Sequence, residues 1–96
     1  MNKADLLELL KIFKIEQGEK FGLISLGLFG SFAKGEETES SDIDLVVEIA
    51  KPDMFLIVHM KDELEHLLHR SVDIVRYRKR MNRYLKKHID NDTVYV

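Results

Sequence analysis

Hydrophobic residues near the N-terminus recur at the spacing of one face of an amphipathic helix. The positions i, i+3, i+4 and i+7 are filled by Leu6, Leu9, Leu10 and Phe13. Asn2 and Asp5 supply residue types that cap a helix start, and Gly18 or Gly22 supplies a stop. The first 20 or so residues are therefore predicted to form one helix with its apolar face toward the core.

Three further helices are predicted downstream. The piece "SFAKG" fits a short helix ended by Gly35. A longer helix is predicted to begin around Pro52, which suits a first turn, and its apolar positions are Ile57, Met60, Leu64, Leu67 and Leu68. Residues 79–89 read as a basic terminal helix, with Met81, Leu85 and Ile89 spaced to pack against the body.

Strands are predicted where apolar residues alternate with period two. In "LISLGLF", Ile24, Leu26 and Leu28 share one predicted face. The segments "SDIDLVVEI" and "SVDIVRY" alternate in the same way, and "TVYV" is a short last extended piece. The order αβαβαβα predicts an α/β (α+β) fold with a small mixed sheet and helices packed on its apolar face.

Length and composition describe an ordinary small globular protein. Ninety-six residues predict a single domain spanning 1–96, and the 45% hydrophobic share is typical of globular chains. The chain has no cysteine, so disulfides and thiolate metal sites are excluded. No apolar run approaches the roughly 18 residues that a membrane span requires. We therefore expect no membrane association and a cytoplasmic location.

The charge is unevenly distributed along the chain. Residues 1–75 hold eight Lys/Arg against fifteen Asp/Glu, whereas residues 76–96 hold seven Lys/Arg against two Asp. This basic C-terminal part has three interpretations, which we rank as a solvated helix face, a surface for a protein partner, and a contact for nucleic acid. Because its tyrosines are isolated, direct nucleic-acid binding is not expected.

Two aspartates lie inside the second predicted strand. Asp42 and Asp44 are two residues apart, so alternation sends both side chains to the same face, with Cα atoms about 6.5 Å apart. Two like charges held this close stay ionised only beside a strong positive charge. Mg²⁺ suits this place because it takes oxygen ligands and retains waters and substrate phosphate oxygens.

A third carboxylate, Asp73, is the only acid in the run "VDIVRY". If the second and third strands are neighbours, about 4.8 Å apart, Asp73 lies beside Asp42 or Asp44. Three such carboxylates can hold two metal ions that align an attacking oxygen, a phosphorus and a leaving group. Asp73 is also placed to take a proton from an incoming hydroxyl.

The pair Gly30-Ser31 follows the first strand and suits phosphate binding. Gly30 allows a close turn without a clashing Cβ, and the Ser31 hydroxyl can donate to a phosphate oxygen. Lys34, one turn later, either neutralises phosphate charge or lies in solvent.

Each of these features alone has an ordinary structural explanation, such as a capping or edge-strand acid. Their combination resembles the nucleotidyltransferase superfamily that shares its core with DNA polymerase beta. It is most similar to the minimal nucleotidyltransferases, which share Gly-Ser, ten residues and Asp-x-Asp. Here these are Gly30-Ser31, residues 32–41 and Asp42-Ile43-Asp44. The likeness extends through "VDIV" and "TVYV", nearly the whole chain.

The resemblance implies Mg²⁺-dependent transfer of a nucleoside monophosphate from a nucleoside triphosphate. Asp42, Asp44 and Asp73 correspond to metal ligands and catalytic carboxylates, and Gly30-Ser31 to the triphosphate-binding turn. Lys34 stands where many members carry arginine, which keeps the charge but removes bidentate phosphate contact.

Minimal members are commonly encoded beside a HEPN-domain partner. In such pairs the minimal member is an antitoxin that moves AMP from ATP onto a tyrosine of the HEPN-domain ribonuclease toxin, and the resemblance implies the same partner here. Two alternatives remain: an antitoxin that neutralises its partner by contact alone, and a nucleotidyltransferase acting on a small molecule. The sequence also leaves homo-oligomerisation open.

Overall fold

A computed structural model describes all residues from 1 to 96. Four helices and four strands follow in the order α1 (Lys3–Phe21), β1 (Leu23–Phe29), α2 (Gly30–Lys34), β2 (Ile43–Ile49), α3 (Met54–Leu68), β3 (Val72–Arg76), α4 (Arg83–Asp92) and β4 (Val94–Tyr95). This is the predicted order with the last extended piece added as a strand. No helix is both long and apolar enough to cross a membrane.

The strands form one mixed sheet in the order β3-β2-β1-β4. β1 is antiparallel to both β2 and β4, whereas β2 and β3 are parallel. A parallel pair needs a long crossover, and α3 supplies it. Because of this topology, the beginnings of β2 and β3 and the end of β1 meet at one end of the sheet.

The main core lies between the sheet and helices α1 and α3. Leu6 and Leu10 of α1 and Met60 and Leu64 of α3 are fully buried, as the helical spacing predicted. The sheet contributes the apolar face on which residues such as Leu45 lie. Leu67, which the spacing placed with the buried set, is instead 41% exposed.

The fourth helix packs on the other face of the sheet, so the prediction of helices on one face holds for α1 and α3 but not for α4. Val46 alternates with the core residues Leu45 and Val47, and it packs with Phe29 and with Ile89 of α4. The predicted apolar stripe of α4 therefore covers a second, smaller cluster.

Capping residues set where α1 and α3 begin and where α1 ends. Asn2 caps α1 through a 2.8 Å bond from the Asp5 amide, and Gly22 ends the helix, whereas Gly18 lies inside it. The predicted start of α3 at Pro52 is wrong, because Asp53 accepts the Phe55 amide at 2.8 Å and caps a helix that begins at Met54.

The start of α4 was also predicted too early. Asn82 accepts hydrogen bonds from the Tyr84 and Leu85 amides at 3.0 and 3.1 Å, so the helix begins at Arg83 and not at residue 79. Residues 77–82 form a connecting segment between β3 and α4.

A β-bulge shifts the first half of β1. Leu23 pairs with Ile49 and Ser25 with Glu48, which leaves Ile24 as the extra residue. Ile24 is 57% exposed, so its predicted place on the core face is wrong, and Leu23 packs against the core instead.

Candidate active site

The structure brings Asp44 and Asp73 directly side by side. They are register partners in the parallel β2–β3 pair, so both side chains leave the same face of neighbouring strands about 4.8 Å apart. Asp42 is exposed and lies two residues before Asp44, at the entrance to β2. Three carboxylates therefore gather at the end of the sheet where β2 and β3 begin.

The electrostatics of Asp44 reflect this crowding. Burial raises the pKa of the Asp44 carboxyl above its ordinary value of 3.8, and the Asp73 and Asp42 carboxylates raise this pKa further. None of the three carboxylates takes part in the ion pairs of the chain, which join Lys20 to Glu63 and Lys34 and His88 to Asp92. The negative charge of the cluster is thus left uncompensated.

Gly30 closes one side of this cluster. Its backbone has a φ of +73°, which strongly favours glycine, and a Cβ placed on it would overlap Asp44 Oδ2 and stand 3.0 Å from Asp44 Cγ. The Gly-Ser turn and the Asp-x-Asp strand are therefore in van der Waals contact.

Ser31 and Lys34 follow Gly30 on the one-turn helix α2. Ser31 is half-buried, and its hydroxyl makes no hydrogen bond within the chain. Lys34 points toward α4, where its Nζ lies 3.5 Å from Asp92 Oδ2. The structure thus places Ser31 beside the carboxylates through its neighbour Gly30, whereas the contact of Lys34 is with Asp92.

Sequence reasoning missed Arg70, which ties the surroundings of the site together. Its Nε donates to the Ser41 carbonyl at 2.8 Å and its Nη2 donates to the Thr38 carbonyl. Its guanidinium lies over the Phe32 ring of α2, 4.9 Å from the centroid. The Arg70 side chain therefore holds the loop that leads into Asp42. Arg70 itself lies only three residues before Asp73 in the chain. The available signal was its place directly before "SVDIV", the strand of the third carboxylate.

The donor set fits a divalent cation such as Mg²⁺. As the side chains stand, no three His, Asp or Glu groups converge closely enough to hold a metal ion. Three carboxylates without a basic partner nevertheless provide the oxygen ligands that Mg²⁺ prefers.

Known proteins with similar sequences cover nearly all of this chain. The family model described as Polymerase beta, Nucleotidyltransferase matches residues 10–96. A relative from Methanocaldococcus jannaschii, provisionally named a protein adenylyltransferase, is 34% identical over 97% of this chain and 96% of its own length. The protein adenylyltransferase MntA of Thermococcus cleftensis is 33% identical over 92% of this chain and 89% of its own length.

Solved structures show the same architecture. A structure provisionally described as a minimal nucleotidyltransferase has a TM-score of 0.80 and 27% identity, over 98% of this chain and 95% of its own. A toxin–antitoxin complex solved with AMP-PNP contains a chain with a TM-score of 0.70 and 25% identity, and the match covers 99% of this chain and 72% of that one. A Shewanella oneidensis complex of an AMPylated HEPN toxin with an MNT antitoxin contains a chain with the same fold. Its TM-score is 0.66 and its identity 24%, and the match covers 94% of this chain and 69% of that one.

The family match covers the turn, the three carboxylates and the whole sheet, and it agrees with the resemblance seen in the motifs. The chain belongs to the polymerase beta nucleotidyltransferase family.

Proposed function

We propose that this chain is a Mg²⁺-dependent nucleotidyltransferase that moves AMP from ATP to a tyrosine of a HEPN-domain toxin and thereby acts as its antitoxin. The observation that carries the proposal is the meeting of Asp44, Asp73 and Gly30 at one end of the sheet. The protein adenylyltransferase name of the relatives supports AMP as the group transferred.

In this proposal the carboxylates perform the chemistry. Asp42, Asp44 and Asp73 would hold Mg²⁺, which supplies charge neutralisation at the phosphates and a template for in-line displacement. Asp73 accepts the proton of the acceptor hydroxyl while the hydroxyl oxygen forms a bond to the α-phosphorus of ATP. The bond from that phosphorus to the bridging oxygen breaks, and pyrophosphate leaves.

The Gly30-Ser31 turn would position the nucleotide. Gly30 lets the turn lie directly against the Asp44 carboxylate, and the Ser31 hydroxyl beside it would donate to a phosphate oxygen. Lys34 forms an ion pair with Asp92, and it can neutralise phosphate charge only if it leaves Asp92 and contacts a phosphate instead. We therefore assign Lys34 a supporting role.

The acceptor is proposed to be a protein because the relatives are named protein adenylyltransferases. We also propose that residues 1–96 form one domain, since both clusters of buried residues pack on the same sheet. The MntA name of a relative and the toxin–antitoxin complex among the structural neighbours support an antitoxin role. The HEPN-domain identity of the toxin follows from the family resemblance. Because ATP is the donor, we place the reaction in the cytoplasm.

Incubation with α-labelled ATP, Mg²⁺ and a purified HEPN-domain toxin tests the proposal, and the first toxin to try is any HEPN-domain protein found in a neighbouring reading frame. We expect label on a partner tyrosine with the native chain. Asp42→Asn, Asp44→Asn and Asp73→Asn should each reduce the transfer rate by about 10²-fold or more. Asp62→Asn removes an exposed carboxylate of α3 and is the matched control.

The competing functions give different results in the same assay. A stable complex without label on the partner would show neutralisation by contact and would refute transfer. Label on an added aminoglycoside or nucleoside, with none on the partner, would show a small-molecule acceptor. Full transfer by either Asp42→Asn or Asp44→Asn would refute the site assignment.

A further inference from the structure

The outer edge of β3 is an open strand edge. β3 is terminal in the sheet and pairs only with β2. The Tyr77 amide donates to Val47 and the Ser71 carbonyl accepts from Ile43, so the odd-numbered residues face β2. The backbone groups of Ile74 and Arg76 therefore point outward, away from the sheet.

The chain covers this edge only at its beginning. Val72, the first outward-facing residue, donates its amide to Glu65 Oε2 at 2.9 Å. Beyond it, a groove of about 370 Å³ follows the edge. One wall carries Met54 and Ile57 of α3, and the other carries Leu85 of α4 and Met81 from the segment before it. An extended segment laid along Ile74 would thus have an apolar wall on each of its two faces.

The rim of the groove is strongly basic. Arg76 and Arg78 line it, and residues 74–89 contain no acid. None of the seven Lys/Arg between 76 and 87 takes part in the three ion pairs of the chain. An uncompensated basic rim around an apolar strand edge fits an acidic peptide segment with apolar residues at its centre.

We infer that β3 binds an extended, acidic segment of the acceptor protein by β-strand addition, and that this docking brings the acceptor hydroxyl to Asp73. Asp73 directly precedes Ile74 in β3. A residue of the added strand opposite Asp73 would lie about 4.8 Å away, with its side chain on the face of Asp44 and Asp73. This inference rests on the proposed function. Free N–H and C=O groups along the edge match a peptide backbone better than a nucleic acid.

Binding is tested without ATP, so that it does not depend on catalysis. The probe is a fluorescein-labelled peptide with a Val-Tyr-Val-Ile centre and Glu-Asp-Glu at one end. Arg76→Glu/Arg78→Glu should weaken binding about tenfold or more. Arg83→Glu/Lys87→Glu changes the net charge equally at exposed positions outside the groove and should weaken binding only about threefold or less, through slower association and with an unchanged dissociation rate.

A second measurement avoids variants that could fold poorly. Amide exchange followed by NMR should slow at Ile74 and Arg76 when the peptide binds and stay unchanged at Val72, whose amide is already bonded. The same peptide with N-methylated backbone amides through its centre should not bind. With Mg²⁺ and ATP added, label on the peptide tyrosine would support delivery to Asp73.

Several outcomes would overturn the inference. The peptide could fail to bind, or the N-methylated peptide could bind as tightly as the unmodified one. Amide exchange at Ile74 and Arg76 could stay unchanged when the peptide binds, or these amides could already be protected without peptide because the chain dimerises through this edge. Protection by a mixed-sequence RNA 12-mer but not by the peptide would assign the groove to nucleic acid. Protection at both amides without AMP transfer would support the groove and count against the proposed function.

Discussion

At Gly30 two requirements meet in one residue. The backbone there has a positive φ, and the position that a side chain would fill is taken by the Asp44 carboxylate. Gly35, five residues later, has nearly the same φ of +72° but no atom within 4 Å of an added Cβ. The two glycines therefore separate the cost of backbone strain from the cost of displacing the carboxylate.

We predict that Gly30→Ala abolishes AMP transfer and that Gly35→Ala does not. Each variant should lose about 1–2 kcal/mol of unfolding free energy from backbone strain, measured by urea denaturation. Only the Gly30 variant also pushes Asp44 aside, so its transfer rate should fall about 10²-fold or more. Equal transfer rates in the two variants would contradict the close contact between the turn and Asp44.

The charge on Asp44 is predicted to destabilise the chain when no metal is bound. Because the folded pKa lies above the ordinary 3.8, the folded chain binds more protons than the unfolded chain between these two values. The free energy of unfolding should therefore fall as pH rises through this window. Asp44→Asn should raise the metal-free Tm at pH 7, and the difference should vanish below pH 3.8.

Differential scanning calorimetry in EDTA, from pH 3 to 7, measures this effect. Asp62→Asn, on the exposed side of α3, should show no such pH-dependent difference. A lower Tm for Asp44→Asn at pH 7 would mean that a favourable contact holds the carboxylate and outweighs the repulsion from Asp42 and Asp73.

At the scale of elements, alternation and topology predict the meeting of Asp44 and Asp73, whereas local irregularities escape the sequence. Period two fixes which face each aspartate occupies, and the α3 crossover makes β2 and β3 parallel. The exposed position of Ile24 depends on a bulge opposite Ile49 and Glu48, which only strand pairing reveals. The contacts of Arg70 likewise join residues about thirty positions apart, beyond any local pattern.

Arg70 is predicted to set the order of the loop between α2 and β2. Arg70→Lys keeps the charge but cannot donate to Ser41 and Thr38 in the same geometry. We expect a loss of about 1–3 kcal/mol in unfolding free energy and faster amide exchange in residues 36–42. Arg80→Lys, at an exposed residue with no side-chain hydrogen bond, is the control. Unchanged exchange in this loop would show that Arg70 does not order it.

For the molecule as a whole, donor binding should stabilise the fold. At one hundred times its Kd, Mg²⁺–ATP should add about 2.7 kcal/mol, which for a chain of this size raises the Tm by ~10 °C or more. Thermal shift with and without EDTA measures this. The rise should disappear in Asp42→Asn/Asp44→Asn and persist in Asp62→Asn. An equal rise in EDTA would mean that the nucleotide binds without the cation.

The fold as a whole was more predictable than its exact packing. Amphipathic spacing placed Leu6 and Leu10 in the core, and the motifs indicated the family. The position of α4 on the second face was not predicted. The apolar positions of this helix, such as Ile89, indicate that it packs on the sheet, but they do not indicate on which of the two faces. The roles of the site residues remain predictions, which the aspartate and glycine variants test.

The unpaired cations of residues 76–87 also bear on how quickly a partner is captured. The concentrated positive charge attracts an acidic protein before the two molecules touch. Association is therefore faster, and the acidic surface of the partner is oriented toward this side of the chain. Added salt shortens the reach of that field to about 8 Å at physiological ionic strength. Encounter should therefore slow steeply with ionic strength, while the lifetime of the assembled pair, held by apolar and backbone contacts, should change little.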